Sequence, residues 1–225
     1  MADGVSATAS EGYLEPYRRA AAQRGAGFEA TLWHSREGQR LRFAVMAEMV
    51  GGLSGRRVLD AGCGPADFAA WMLDHGQDYA AYRGVDGVAE VVEHARGRGL
   101  ARADFVAGDF VADGSLLGGW GAEVVTLSGT LNTMSDAMAI EVLESAWAAA
   151  GRALVFNFLS DTCEPARRVV GEPARRLPTV RLLGWAMERT PVVRFRQDYF
   201  AGGHDATIAM MRPGVAVGGG MGAEA

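Results

Sequence analysis

From Arg57 onward the chain alternates short apolar runs with stretches of helical period, and nothing else in it constrains the fold as tightly. Val58-Leu59-Asp60-Ala61 has strand length, and Ala66 to Leu73 then sets Phe68, Trp71 and Met72 on one helical face. Tyr82 to Asp86 repeats the pattern, followed by Val88, Val91, Val92 and Ala95 at helical spacing. Phe105-Val106-Ala107 and Val124-Val125-Thr126-Leu127 are two more strands. Ser135 caps a helix that turns Ile140, Leu143 and Trp147 inward and closes at Gly151. Ala153 to Leu159 is continuously apolar, as a strand covered on both faces should be. A connection bearing Pro165, Pro173 and Pro178 leads to a helix near Thr179–Arg189 and to strands around Val192–Asp198 and Ala206–Met211. The loop between these two is too short for a parallel crossover, so they must pair antiparallel. The pattern predicts a doubly wound α/β sheet, mostly parallel, with an antiparallel last strand.

Ahead of this core, residues 13–52 read as helices. One runs from Tyr13 to Arg24 and stops at Gly25; a second starts with Ser35 as its N-cap, buries Leu41, Val45 and Met49, and stops at Gly51-Gly52. We expect one domain over residues 13–212, in which 13–52 form a helical lid and 53–212 the core. Residues 1–12 and 213–225 are small, polar or glycine-rich and are expected to be loose ends.

Charge and composition exclude several kinds of chemistry. The net charge is −5, from 27 acidic against 22 basic residues, a poor match for a nucleic-acid partner. All the basic residues are arginine, so no lysine is present to form a Schiff base or a Walker-type phosphate site. The arginine-, alanine- and glycine-heavy composition suggests a bacterial genome rich in GC. Cys63 and Cys163 cannot form a disulfide framework, and His34, His75, His94 and His204 show no metal-ligand spacing, so no metal is expected. The Met1-Ala2-Asp3-Gly4 start lacks a basic segment leading into an apolar one, and no apolar run reaches the roughly 20 residues of a membrane helix. The expectation is a soluble, reduced, cytoplasmic protein with no membrane partner.

The candidate chemistry sits at strand ends. Asp60-Ala61-Gly62-Cys63-Gly64-Pro65-Ala66-Asp67 lies where a strand turns into a helix, and its glycines let backbone approach a ligand. A pyrophosphate-binding turn would carry a third glycine where this chain has Asp67, so an acid stands where a phosphate would sit. That favours a cationic ligand, and Asp60 can bind an ammonium. Asp86 ends the second strand at the spacing of a ribose-binding acid. Asp109 and Phe110 follow the third strand, where an acid and an aromatic ring can meet an adenine's amine and its face. Ser128-Gly129-Thr130-Leu131-Asn132 follow the fourth. Open α/β sheets bind their ligands at these carboxyl ends.

These motifs resemble those of the class I S-adenosylmethionine-dependent methyltransferases. Leu59-Asp60-Ala61-Gly62-Cys63-Gly64 is similar to that family's first motif, Gly84-Val85-Asp86 to its second, and Ala107-Gly108-Asp109-Phe110 to its third. The resemblance runs from about Val58 to Met211. It implies a Rossmann-like sheet of seven strands, with the reversed last strand inserted between its neighbours, and S-adenosyl-L-methionine as cofactor. By this resemblance Asp60, Gly62 and Gly64 hold the methionine part, Asp86 the ribose, and Asp109 and Phe110 the adenine, with Ser128 at the same edge. The family usually has glycine where this chain has Ala66. A looser likeness, through Trp33-His34-Ser35, Gln39, Arg42, Phe43, Phe156-Asn157-Phe158 and Asp198-Tyr199, is to one branch of bacterial methyltransferases and does not fix a substrate.

The resemblance implies methyl transfer, and the net charge of −5 with no basic stripe points to a small-molecule acceptor. The alternative is a protein that binds the cofactor without turnover, as a sensor or partner subunit. A nicotinamide-dependent oxidoreductase is opposed by the missing third glycine. Topology carries Tyr199 and His204 to the rim of the site, with Asn132 and Asn157 at neighbouring strand ends and Trp33-His34 on the lid. Trp33 can equally be a packing residue. His204 is the candidate general base, because an imidazole titrates near physiological pH. An equal reading is that it serves the Gly202-Gly203 turn.

Overall fold

The computed structural model describes residues 12–214. The loose ends expected at 1–12 and 213–225 lie, apart from Gly12, Pro213 and Gly214, outside the described residues. The strands are β1 (Arg57–Ala61), β2 (Ala81–Asp86), β3 (Ala103–Ala107), β4 (Val124–Ser128), β5 (Ala153–Leu159), β6 (Val193–Arg196) and β7 (Asp205–Met211). The helices are α1 (Glu15–Arg24), α2 (Arg36–Met49), α3 (Asp67–Asp74), α4 (Ala89–Gly97), α5 (Asp136–Ala149) and α6 (Thr179–Arg189).

The seven strands form one sheet in the order β3-β2-β1-β4-β5-β7-β6. All pairs among β1 to β5 are parallel, while β7 runs antiparallel between β5 and β6, with Leu159 opposite Asp205 and Ala153 opposite Met211. This is the Rossmann-like, mostly parallel sheet that the sequence pattern and the resemblance imply. β6 is shorter than the expected Val192–Asp198. It is an edge strand whose ladder with β7 ends at Arg196, and the Gln197 side-chain amide then donates to Gly203 O at 2.7 Å.

The period-two alternation of buried strands supplies two cores. Leu59, Val85, Val125, Leu154, Phe156 and Ile208 face one way, toward α5 and α6. Val58, Tyr82, Phe105, Val124, Val155 and Ala209 face the other, toward α2 and α3. No helix among the described residues is long and apolar enough to cross a membrane.

Ser35 caps α2 as expected, accepting from Gly38 N at 3.1 Å. Its buried face differs from the expected one. Leu41 is 37% exposed, whereas Gln39, Arg42, Phe43, Met46 and Met49 are buried, because the helical period that aligns 39, 42, 43 and 46 leaves 41 outside it. Likewise α5 buries Leu143 and Trp147 but leaves Ile140 only half-buried.

Arg42 is satisfied where it lies. Its Nε donates to Asp205 Oδ1 at 2.7 Å, its Nη2 to Asp205 Oδ2, and its Nη1 to Gly38 O at 2.8 Å. Its guanidinium lies 4.5 Å from the Trp33 ring centroid and 4.4 Å from that of Phe200. Removing one member of a buried pair strands the other's charge. Asp205→Ala is therefore expected to lower stability by about 3–5 kcal/mol, measured by urea unfolding. A loss no greater than that of an exposed acid would show that the pair does not hold α2 to β7.

Candidate functional site

A cavity opens at the carboxyl edge of the sheet, where β1 and β4 lie side by side and their connections diverge to opposite faces. Its floor is the β1–α3 turn. Gly62 N and Cys63 N donate to Val85 O at 2.8 and 3.2 Å, and Gly64 N donates to Asp86 Oδ2 at 2.9 Å. The turn is thus tied to the end of β2. Gly62 has φ 80°, and a Cβ there would stand 2.5 Å from Thr130 Oγ1, so no side chain fits. Gly64 has φ 53°, a left-handed backbone that favours glycine, and a Cβ there would meet Thr31 Cγ2 at 3.6 Å, an ordinary van der Waals contact. Ala66 takes the left-handed conformation with φ 63° and ψ 33°, as a glycine would.

Three carboxylates line this cavity: Asp60, Asp67 and Asp86. Asp60 is buried and accepts from Tyr82 Oη at 2.5 Å and from Thr126 Oγ1 at 2.8 Å. Burial pushes its pKa up to about 6, against the pull of those two hydroxyls. Asp86 Oδ1 accepts from Val88 N at 2.9 Å; burial raises this carboxyl too, and the Val88 and Gly64 N–H groups oppose the rise. Asp67 accepts from Gln39 Nε2 at 3.2 Å and pairs with Arg98 Nη1 at 3.0 Å. Burial also raises the Cys63 thiol well above its ordinary value, so it stays protonated. Among the described residues no group of three or more His, Cys, Asp or Glu side chains stands close enough to hold a metal ion.

Of the residues singled out in the sequence, Asp60, Gly62, Gly64, Asp86, Phe110, Ser128 and Trp33 line the cavity together. His34, Asp109, Asn132, Asn157, Tyr199 and His204 lie outside its lining, each for a visible reason. Asp109 Oδ1 accepts from Tyr13 Oη at 2.6 Å, Val111 N at 2.9 Å and Ala112 N at 3.2 Å, so its carboxylate anchors its own loop and a tyrosine. Asn157 is fully buried; it accepts from Gly129 N at 2.7 Å and donates to Ser128 Oγ at 3.1 Å, holding the β4 turn from behind. Asn132 accepts from Leu159 N at 2.9 Å. The Tyr199 hydroxyl meets Thr207 Oγ1 at 2.8 Å, with its ring packed on the core. His204 Nε2 lies 3.2 Å from Asp205 Oδ2, and its ring is 4.7 Å from that of Phe200. His34 is exposed.

Residues of the N-terminal segment roof this cavity: Tyr13 and Leu14 just before α1, Tyr17 on α1, Thr31 in the short turn Phe28–Thr31, and Gln39 and Phe43 on α2 all line it. Sequence reasoning did not single out Tyr13, Leu14, Tyr17 or Thr31 as site residues; the i, i+4 spacing of Tyr13 and Tyr17 marks a shared face, but not the surface that face covers. Trp33 lies against the β4 turn so closely that a Cβ on Gly129 would stand 2.5 Å from Trp33 Cζ2.

No family profile matches the sequence, and no curated protein matches it. Solved structures do. The complex of DhpI with SAH shares 18% identity at a TM-score of 0.62, over 93% of this chain and 99% of that one. Magnesium protoporphyrin IX methyltransferase (ChlM) from Synechocystis PCC 6803 with bound SAH shares 18% identity at 0.61, over 88% of this chain and 94% of its own. The small RNA methyltransferase HEN1 shares 15% identity at 0.63, over 80% of this chain but 26% of its own. The fold is that of the class I S-adenosylmethionine-dependent methyltransferases.

The raised pKa of Asp60 has a definite consequence for stability. Its protonated form is favoured in the folded state, so the stabilisation is complete below the ordinary value of 3.8 and is lost as pH rises through about 6. Measured against Asp60→Asn, the wild-type protein is expected to gain on the order of 2 kcal/mol between neutral and acid pH. Denaturant unfolding across that range tests it, and a flat difference would contradict the raised value.

Proposed function

We propose that the chain binds S-adenosyl-L-methionine in this cavity and transfers its methyl group to a small-molecule acceptor. One juxtaposition carries the reading: the bare backbone of Gly62–Gly64 and the Asp86 carboxylate share one wall at the point where the strand order reverses. The cofactor fits the donor set. Gly64 lines the cavity with backbone alone, Asp86 keeps lone pairs for two ribose hydroxyls, and Phe110 offers an apolar wall for a base. All charged residues lining the cavity are acidic, and Asp67 stands at the start of α3, so a cation is favoured over a dinucleotide's pyrophosphate. DhpI and ChlM, whose fold this chain shares, were solved with SAH bound.

When bound, the cofactor supplies an electrophilic methyl group on a sulfonium. The chain's own part is alignment and exclusion of water, which suits a displacement that needs geometry more than a strong acid or base. Trp33, Phe43 and Phe68 provide dry walls, and Ser128 and Thr130 edge the β4 side. Asn157 and Asn132 serve by holding the β4 turn and the end of β5. Tyr199 and His204 act through Thr207 and Asp205, keeping the β6–β7 connection against Arg42 and so beneath the roof. On this reading residues 13–52 are the lid of a single domain. A small acceptor agrees with a cavity roofed by the chain's own N-terminal helices and lined by carboxylates, which repel a polyanion such as RNA.

Calorimetry tests the proposal. S-adenosylmethionine is expected to bind and NAD is not. Asp86→Ala is expected to weaken cofactor binding by ~10-fold or more, since hydrogen bonds to a charged acceptor contribute roughly 1.5–3 kcal/mol each. Mass spectrometry then follows the demethylated product over panels of amines, thiols, phenols and carbon acids. Unchanged affinity in Asp86→Ala removes the ribose assignment. Tight binding with no product from any acceptor favours the reading without turnover.

A further inference from the structure

The geometry points to Tyr13, not Asp109, as the side chain that reads the exocyclic amine of the bound adenine, with Asp109 positioning it. This rests on the cofactor reading above and assigns one more residue to it.

Three donors converge on a single oxygen of Asp109: Tyr13 Oη at 2.6 Å, Val111 N at 2.9 Å and Ala112 N at 3.2 Å. Asp109 itself is not among the residues that line the cavity, whereas Tyr13 is. A phenol has one proton and two lone pairs. With its proton directed at Asp109, Tyr13 can offer the cavity only an acceptor. Burial and the nearby Asp109 and Asp86 charges hold the phenol well above its ordinary pKa, so the proton stays on Tyr13.

The surroundings make that acceptor selective. The nearby walls are apolar: Leu14, Val88, Val91 and Phe110. Leu14 packs so closely over Gly87 that a Cβ there would stand 2.6 Å from Leu14 Cδ1. Gly87 follows Asp86, so Tyr13 and Leu14 cap the end of the cavity next to the ribose-binding acid. Adenine presents a donor at its six position; a 6-oxo purine presents a carbonyl. Against a fixed acceptor in an apolar surround, the amine gains a hydrogen bond and the carbonyl meets a lone pair.

The test compares S-adenosylhomocysteine with S-inosylhomocysteine, its 6-oxo counterpart, by calorimetry on three proteins. The wild-type chain is expected to prefer the adenosyl ligand by ~10-fold or more. Tyr13→Phe keeps the ring and its packing, and is expected to shrink that preference to ~2-fold or less. Asp109→Asn keeps an acceptor for the phenol, and is expected to retain most of the preference. Two results overturn the inference: a preference that persists in Tyr13→Phe while collapsing in Asp109→Asn, or equal weakening of both ligands by Tyr13→Phe, the mark of a purely structural tyrosine. A wild-type chain that binds neither ligand overturns the cofactor reading itself.

Discussion

The buried ion pair between Arg42 and Asp205 is the contact on which the site's architecture rests. It joins α2 to the first residue of β7, two elements separated by 163 positions in the chain. Burying two charges is costly unless every polar direction is filled. Here the carboxylate takes two guanidinium nitrogens, a third nitrogen reaches Gly38 O, and the faces of Trp33 and Phe200 cover the planar cation. A lysine could not do this: one ammonium has no plane to stack and no fork to match a carboxylate. With Arg42 held, Trp33 is held, and Trp33 rests on Gly129 at the end of β4. One interaction therefore sets how far the N-terminal helices stand above the sheet edge.

The floor is set by backbone geometry of the opposite kind, strained and not charged. Gly62 and Gly64 take positive φ at no steric cost, but Ala66 does so as well. A left-handed alanine costs about 1–2 kcal/mol. Ala66 is fully buried, so its methyl returns part of that cost through burial, on the order of 0.8 kcal/mol. The chain therefore keeps a glycine-like turn without the glycine that the resembling family usually has there.

What was legible in the sequence follows from what periodicity encodes. Strands buried on both faces and helices buried on one show themselves by period; all seven strands and the Ser35 and Ser135 caps are present in the expected order, with the edge strand β6 shorter than its pattern. Loop length showed that β6 and β7 pair antiparallel, but the insertion of β7 beside β5 came only from the resemblance. Period does not encode where a polar side chain aims. Asn132 lies in the turn after β4 and Asn157 within β5, and their amides turn to Leu159 N and Gly129 N, a choice made by tertiary neighbours. Leu41 was assigned to the core in place of Arg42 because an arginine is buried only with a partner, and the partner is remote in sequence. Tyr13 and Tyr17 were missed for the same reason: the surface they cover is formed by strands that come later.

The charged groups lining the cavity share a sign. Asp60 and Asp86 are acceptors with their ionised forms disfavoured by burial, and Tyr13 has its proton committed to Asp109. Each acid is kept in place by donors weaker than a full positive charge: two hydroxyls for Asp60, two backbone N–H groups for Asp86. Asp67 alone has a cation, Arg98, and that pair lies toward the surface. The cavity is therefore rich in acceptors and short of positive charge. A ligand that brings a cation and several donors would complement these acceptors, whereas a phosphate would meet three carboxylates. That imbalance is built into the fold, and the helices that roof the cavity reduce the screening around it.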